Sequence, residues 1–242
     1  MRVGADGRGS GETGAAPAPF PATAPPTPAG GAAVFGNRLA LAEHFAAVLS
    51  GTGVSHGLVG PREVPILWER HILNCAVTHT AFPEGVELVD VGSGAGLPGM
   101  ALAIARPDLH VHLVEPMLRR TTWLSSTIEE LGLTNCTVHR GRAEEFHGVL
   151  ALPFATARAV ARIDRLARWT FPLLRDGGTL VALKGSRVEE ELTAEDAVLR
   201  RLGMTSSAIR RYGEDVLDVP TVTLELNVGP RRATPKRRAN RR

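Results

Sequence analysis

The chain lacks any apolar run approaching the roughly 18 residues that a membrane span requires. Its first 33 residues contain no apolar stretch of the kind a secretory signal carries. The expected address is therefore the cytoplasm, with no membrane partner. Cysteine is scarce, Cys75 and Cys136 being the only two. Two thiols make no disulfide framework and match no zinc-ligand spacing, so both are expected to be reduced packing residues. There is no His/Glu metal-binding motif and no Walker phosphate loop, so no metal is expected.

What is present is enough chain, 242 residues, for one full α/β domain with extensions. Residues 1–33 are almost all Gly, Ala, Pro, Thr and Ser, and are expected to be a disordered leader. The net charge of +3 is unevenly placed. Seven of the 28 basic residues lie between Arg231 and Arg242, leaving 21 against 25 acidic residues in the rest, a net −4. The body is mildly acidic, and residues 230–242 form a basic tail suited either to nucleic acid or to solvation alone.

From Phe35 the pattern turns helical, with Phe35, Leu39, Ala42, Phe45, Ala46 and Leu49 on one face and Gly51 and Gly53 as the expected stop. A second helix is expected from Pro61 to Val77, so residues 34–84 read as N-terminal helices. Residues 85–229 then alternate short apolar runs with helices. The spacing predicts strands at Val86–Val91, Val111–Glu115, Cys136–Arg140, Ala155–Val160 and Thr179–Lys184. Helices fit between them at Leu97–Arg106, Leu118–Leu131, Ile163–Leu174 and Arg187–Leu202. A last pair, Ser206–Tyr212 and Val222–Val228, reads as a hairpin. Alternation of this kind implies a mainly parallel, Rossmann-like sheet with helices on both faces and a terminal antiparallel hairpin.

The strongest local signal is Val89-Asp90-Val91-Gly92-Ser93-Gly94-Ala95-Gly96-Leu97-Pro98-Gly99, where a strand ends and a helix begins. Glycines there allow a tight turn and close approach of a ligand, and the helix N-terminus offers amides to an anion. Two cofactors fit. Gly94-x-Gly96-x-x-Gly99 matches a dinucleotide fingerprint, with Glu115 placed 21 residues on as a ribose-binding acid, so an NAD-dependent oxidoreductase is one reading. The other is S-adenosylmethionine (SAM). It is favoured by Asp90 directly before the glycines in D-x-G-x-G form, by the mid-chain position of the unit and by the terminal hairpin. Asp90, Gly92, Gly94 and Gly96 would then surround the amino-acid end of SAM. Glu115 would take the ribose hydroxyls, and Glu144 in Arg140–Phe146 the adenine amine. Glu145 would be a solvated neighbour. Arg119 and Arg120 would face RNA or balance nearby acids, and Trp123 would be core.

Absences narrow the acceptor. There is no Asp/Asn-Pro-Pro-aromatic tetrad for exocyclic amines, and neither cysteine follows a proline as a C5-cytosine nucleophile would. An acceptor that needs little activation remains, or a different acceptor altogether for a SAM enzyme.

Five segments occur in order: Leu67-Trp68-Glu69-Arg70-His71-Ile72-Leu73-Asn74-Cys75, the glycine loop ending Gly96-Leu97-Pro98-Gly99, Arg142-Ala143-Glu144-Glu145, Ala157-Arg158-Ala159-Val160-Ala161 and Ala182-Leu183-Lys184-Gly185. Together they resemble the RsmG (GidB) family over about residues 35–228. The resemblance implies the class I SAM-dependent methyltransferase fold with a seven-stranded sheet. It also implies methyl transfer to N7 of one guanine in the decoding-region loop of 16S ribosomal RNA, near the streptomycin site. The partner would be that RNA or the small-subunit particle, and a monomer is expected. Carried over by position, Gly92, Leu97, Ala143, Glu144 and Arg158 would contact SAM, and Arg158 would also reach the active site. His71 and Lys184 would line the pocket, and no general base is implied. The chain departs from the family at His56–Pro61, and has Glu115 where the family often has Asp.

Overall fold

The computed structural model describes residues 23–158 and 161–230. The basic tail from Arg231 on, residues Ala159 and Val160, and the leader up to residue 22 lie outside them. The rest of the leader departs from expectation. Pro25 O accepts a hydrogen bond from Trp68 Nε1 (3.0 Å), Thr27 Oγ1 donates to Glu43 (2.8 Å), and a short helix α1 starts at Gly30 (Gly30–Phe35). Composition counts only the apolar surface a segment brings itself. Here the surface is supplied from elsewhere, by Trp68 packed edge-on against Phe35.

Helix α2 (Leu39–Val48) continues through a wide π-type turn at Leu49–Gly53 instead of stopping at its glycines. Ser50 Oγ and Thr52 Oγ1 donate back to the carbonyls of Ala46 (2.8 Å) and Val48 (3.2 Å), which ties this turn to the helix. The chain reverses only at Gly57, where φ is +65°. The second expected helix is helical in pieces. A 3₁₀ stretch Pro61–Ile66 is followed by a π-type turn Trp68–Ile72, by α3 (Leu73–Ala76) and by a 3₁₀ end Val77–Ala81.

The sheet contains β1 (Glu87–Val91), β2 (His110–Glu115), β3 (Cys136–Arg140), β4 (Leu152–Arg158), β5 (Leu174–Lys184), β6 (Met204–Tyr212) and β7 (Thr221–Val228), in the order β3-β2-β1-β4-β5-β7-β6. The first five run parallel, while β7 is antiparallel to both its neighbours. The intervening helices are α4 (Gly99–Ala105), α5 (Leu118–Glu130), α6 (Ile163–Thr170) and α7 (Val188–Leu202). Between β3 and β4 only a 3₁₀ turn, Ala143–Phe146, intervenes.

Strand alternation splits the core in two. Leu88, Val111, Leu113, Val181 and Leu183 face the N-terminal helices, α4 and α5. Val89, Val114, Leu180, Ala182 and Leu224 face α6 and α7. Fully burying a Leu such as Leu113 contributes roughly 1.5–3 kcal/mol. The N-terminal helices share the first of these cores, and polar clamps set their placement. Asn74 Nδ2 donates to Thr221 Oγ1 (2.8 Å), which donates back to Asn74 O (2.7 Å), while Arg38 Nε donates to Ile104 O (2.8 Å). These bonds bring the segment carrying His71 over the carboxyl ends of β4 and β5, where open α/β sheets bind ligands.

Candidate active site

The glycine loop is held from below. Asp90, at the end of β1 and fully buried, accepts the Gly99 amide on Oδ2 (3.0 Å). Gly99 has no room for a side chain, since a Cβ there would stand 2.7 Å from Asp90 Oδ2 and would also strike Leu113. Gly94 has φ of +55°, and a Cβ would meet nothing nearer than Gly92 O at 3.8 Å. Glycine is therefore required at 94 by the backbone conformation and leaves open space beside it.

Nearly all the loop's amides are already engaged. Gly92 and Ser93 donate to Val114 O (2.9 and 3.2 Å), Gly96 and Leu97 to Ser93 O (2.7 and 3.1 Å), and Met100 to Gly96 O (2.7 Å). Gly94 donates to Glu115 Oε2 (3.1 Å). The anion-binding helix start expected from the sequence is thus largely spent, its first amide on Asp90. A pyrophosphate needs free amides. A ligand that brings its own positive charge needs acceptors instead. Asp90 Oδ1 is such an acceptor, buried with no hydrogen-bond partner, a position that costs energy until a donor satisfies it. Burial pushes the Asp90 carboxyl up to about 7, although the Gly99 amide and the nearby Arg158 charge oppose this. A cation beside it would favour the ionised form. The residues fit the ammonium-bearing, sulfonium-bearing SAM better than a dinucleotide.

Glu115 ends β2, only 2% exposed. Besides the Gly94 amide it accepts that of Met117 on Oε1 (3.0 Å), and Arg120 stands 3.5 Å from Oε2. A carboxylate has about four lone-pair positions, so room for a ribose hydroxyl remains. Of the two arginines that follow, Arg120 balances this acid and Arg119 is exposed. Trp123 is core, its Nε1 donating to Thr52 Oγ1 (3.0 Å). In the turn after β3, Ala143 is buried. Glu145 is the residue that caps the turn, accepting the Arg142 amide (2.7 Å), which leaves the exposed Glu144 as the acid available to a ligand. Both cysteines are free, their thiols pushed up to about 11 and about 12 by burial.

The other expected residues gather in a cleft of about 1220 Å³ at the carboxyl ends of β4 and β5, lined by His71, Arg158 and Lys184 together with Glu63, Arg70 and Asn74. Arg158, at the end of β4, donates from Nη1 to Arg70 O (3.1 Å) and from Nη2 to His71 Nδ1 (3.0 Å). His71 Nε2 lies 2.7 Å from Glu63 Oε2. Burial and the Arg158 charge lower the His71 pKa below its ordinary value, and Glu63 opposes this without prevailing. Lys184 is less free than expected. Its Nζ pairs with Glu191 (3.0 Å) and donates to Ala161 O (3.4 Å), and Glu191 also accepts the first amide of α6, that of Ile163 (2.7 Å). Sequence reasoning missed Glu63 and Glu191. Neither sits at a spacing that marks it, because the broken helical geometry of residues 61–72 and the α6–α7 packing create both contacts.

The strand order and the charge-accepting loop define a class I methyltransferase that uses SAM. Solved structures share the fold: a SAM-dependent methyltransferase from Aquifex aeolicus (TM-score 0.52, 15% identity, 72% of this chain and 98% of that one) and M. jannaschii TYW2 in complex with AdoMet (TM-score 0.52, 16% identity, 66% and 76%). The family profile described as GidB, rRNA small subunit methyltransferase G, matches residues 38–217. The protein of that name from Streptomyces coelicolor is 52% identical over 206 residues, 85% of this chain and 86% of its own length. That from Mycolicibacterium smegmatis is 47% identical over 204 residues, 83% and 86%. The chain belongs to this family.

Proposed function

We propose that the chain transfers the methyl group of SAM to N7 of a guanine in 16S ribosomal RNA, in the decoding-region loop near the streptomycin site. One observation carries the chemistry: the only imidazole among the described lining residues of the cleft, His71, has both ring nitrogens committed to protein partners. A site that keeps no imidazole free suits an acceptor with no proton to lose. Guanine N7 presents an in-plane lone pair and carries no proton.

SAM supplies an already activated methyl on a sulfonium. The chain aligns and shields. Asp90, Gly92, Gly94, Gly96 and Leu97 would hold the amino-acid end of the cofactor, Glu115 the ribose, and Ala143 and Glu144 the adenine. Arg158 uses two of its five N–H donors on Arg70 and His71, which leaves others to meet an RNA phosphate. Lys184 would act near the RNA through its ordering of α6 and α7.

No helix among the described residues is long and apolar enough to cross a membrane. On this reading the enzyme works in the cytoplasm on the RNA or the small-subunit particle. It needs no second copy, since one chain supplies both walls of the site. The basic tail from Arg231 would add phosphate contacts. Nucleoside analysis of 16S RNA from a strain lacking the gene tests the assignment. Loss of one 7-methylguanosine, restored by the gene, is expected, and an unchanged nucleoside profile would overturn it.

A further inference from the structure

Glu63 follows the stretch His56–Pro61 in which the chain departs from its family's pattern, and it stands eight residues before His71. The 3₁₀ stretch Pro61–Ile66 and the π-type turn Trp68–Ile72 fold those eight residues so that the carboxylate meets the ring at 2.7 Å. Pro65 lies between them and favours this irregular path over a regular helix.

The hydrogen bonds then fix one another. An arginine N–H can only donate, so His71 Nδ1, 3.0 Å from Arg158 Nη2, must be the bare, accepting nitrogen. The ring proton therefore sits on Nε2 and is donated to Glu63 Oε2. A carboxylate has no proton to give at neutral pH, so it selects this tautomer and disfavours the other. The imidazole side chain is only 14% exposed, which leaves it little freedom to turn. The second anchor of Arg158, the Arg70 carbonyl, lies in the same turn. Loss of the first anchor would let the guanidinium pivot about the second.

From this geometry we infer that Glu63 is a positioning residue for methyl transfer, acting through the tautomer of His71 to hold the Arg158 guanidinium over the carboxyl end of β4. The inference rests on the methyltransferase reading of the site. The charge environment agrees with it. Glu63, Arg70 and Arg158 are the charged groups that act on the ring, and burial with the Arg158 charge holds its pKa below the ordinary histidine value against the opposing pull of Glu63. A neutral ring is required for Nδ1 to accept.

The test pairs spectroscopy with kinetics. ¹⁵N NMR of the His71 ring in the full-length protein is expected to show Nε2–H with unprotonated Nδ1. In Glu63→Ala the ring is expected to populate the Nδ1–H form, and kcat/KM for methylation of 16S RNA to fall about 10- to 100-fold, the scale of a misplaced binding group. SAM affinity by calorimetry should stay within about twofold. Glu63→Gln keeps a carbonyl oxygen for the Nε2 proton and should restore the rate to within a few-fold of wild type. Wild-type His71 found protonated on Nδ1 would overturn the inference, whatever the variants do. So would an unchanged tautomer or rate in Glu63→Ala, or a Gln variant no better than Ala. If the wild-type protein neither bound SAM nor methylated the RNA, the methyltransferase reading would fail instead, and the tautomer result would stand apart from it.

Discussion

The two walls of the site are built differently. The cofactor wall, from Asp90 through Gly99 to Glu115, is a matter of backbone: positive-φ glycines and amides engaged within a few residues or across one pair of neighbouring strands. The acceptor wall is a matter of side chains drawn from far apart. Arg158 reaches back 87 residues to His71, and Asn74 is clamped to Thr221 across 147. The first wall is set once β1 and β2 pair. The second exists only when the N-terminal helices have docked on the sheet. Damage to the first should therefore show in cofactor affinity, and damage to the second in RNA turnover at nearly constant cofactor affinity.

The largest effect should follow Gly94→Val. A β-branched residue at φ of +55° costs about 1–3 kcal/mol in strain and places atoms in the open space beside the loop. SAM binding by calorimetry should weaken about 100-fold or more, and undiminished binding would break the backbone account of this wall. Arg158→Lys should come next. One ammonium cannot span Arg70 O and His71 Nδ1 as the planar fork does. RNA kcat/KM should drop on the order of 30- to 100-fold while SAM affinity changes little. A parallel loss of SAM affinity would erase the distinction between the walls.

Glu115→Ala should weaken SAM about 10-fold. Hydrogen bonds to a charged group are worth roughly 1.5–3 kcal/mol, and the Gly94 amide would also be left unpaired. The last effect concerns stability and its pH dependence, not affinity. In the folded chain Asp90 keeps its proton up to about pH 7, against an ordinary value of 3.8. Between those values the folded state binds the extra proton, so stability should fall as pH rises from about 4 to about 7, by at most ~1.4 kcal/mol per pH unit. Asp90→Asn, which still offers an oxygen to the Gly99 amide, should lose that slope in denaturant titrations across the range. A slope identical to wild type would place the titration elsewhere.

The same contrast accounts for what the sequence disclosed. The sheet, with its terminal hairpin, was legible because strand alternation is local. The expected strand Cys136–Arg140 matches β3 in full. The glycine loop was legible for the same reason. The spent amides were not, since hydrogen-bond partners such as Val114 O depend on how β2 seats beside β1. Residues 23–33 and the Gly51–Gly53 region were misread because Trp68 and the back-bonded Ser50 and Thr52 override local composition. His71, Arg158 and Lys184 were each picked out, but not the acids that restrain them. Glu63 and Glu191 acquire their partners only through tertiary packing.

The central claim is alignment without a general base. Single-turnover methylation of 16S RNA, measured from about pH 6 to 9 at saturating SAM so that Asp90 titration does not enter through binding, tests it directly. The rate should be nearly flat with pH in wild type, and lower but equally flat in His71→Ala. A wild-type rate that climbs through a histidine-like pKa, with the climb abolished in His71→Ala, would show that His71 takes a proton in the reaction and would contradict the account.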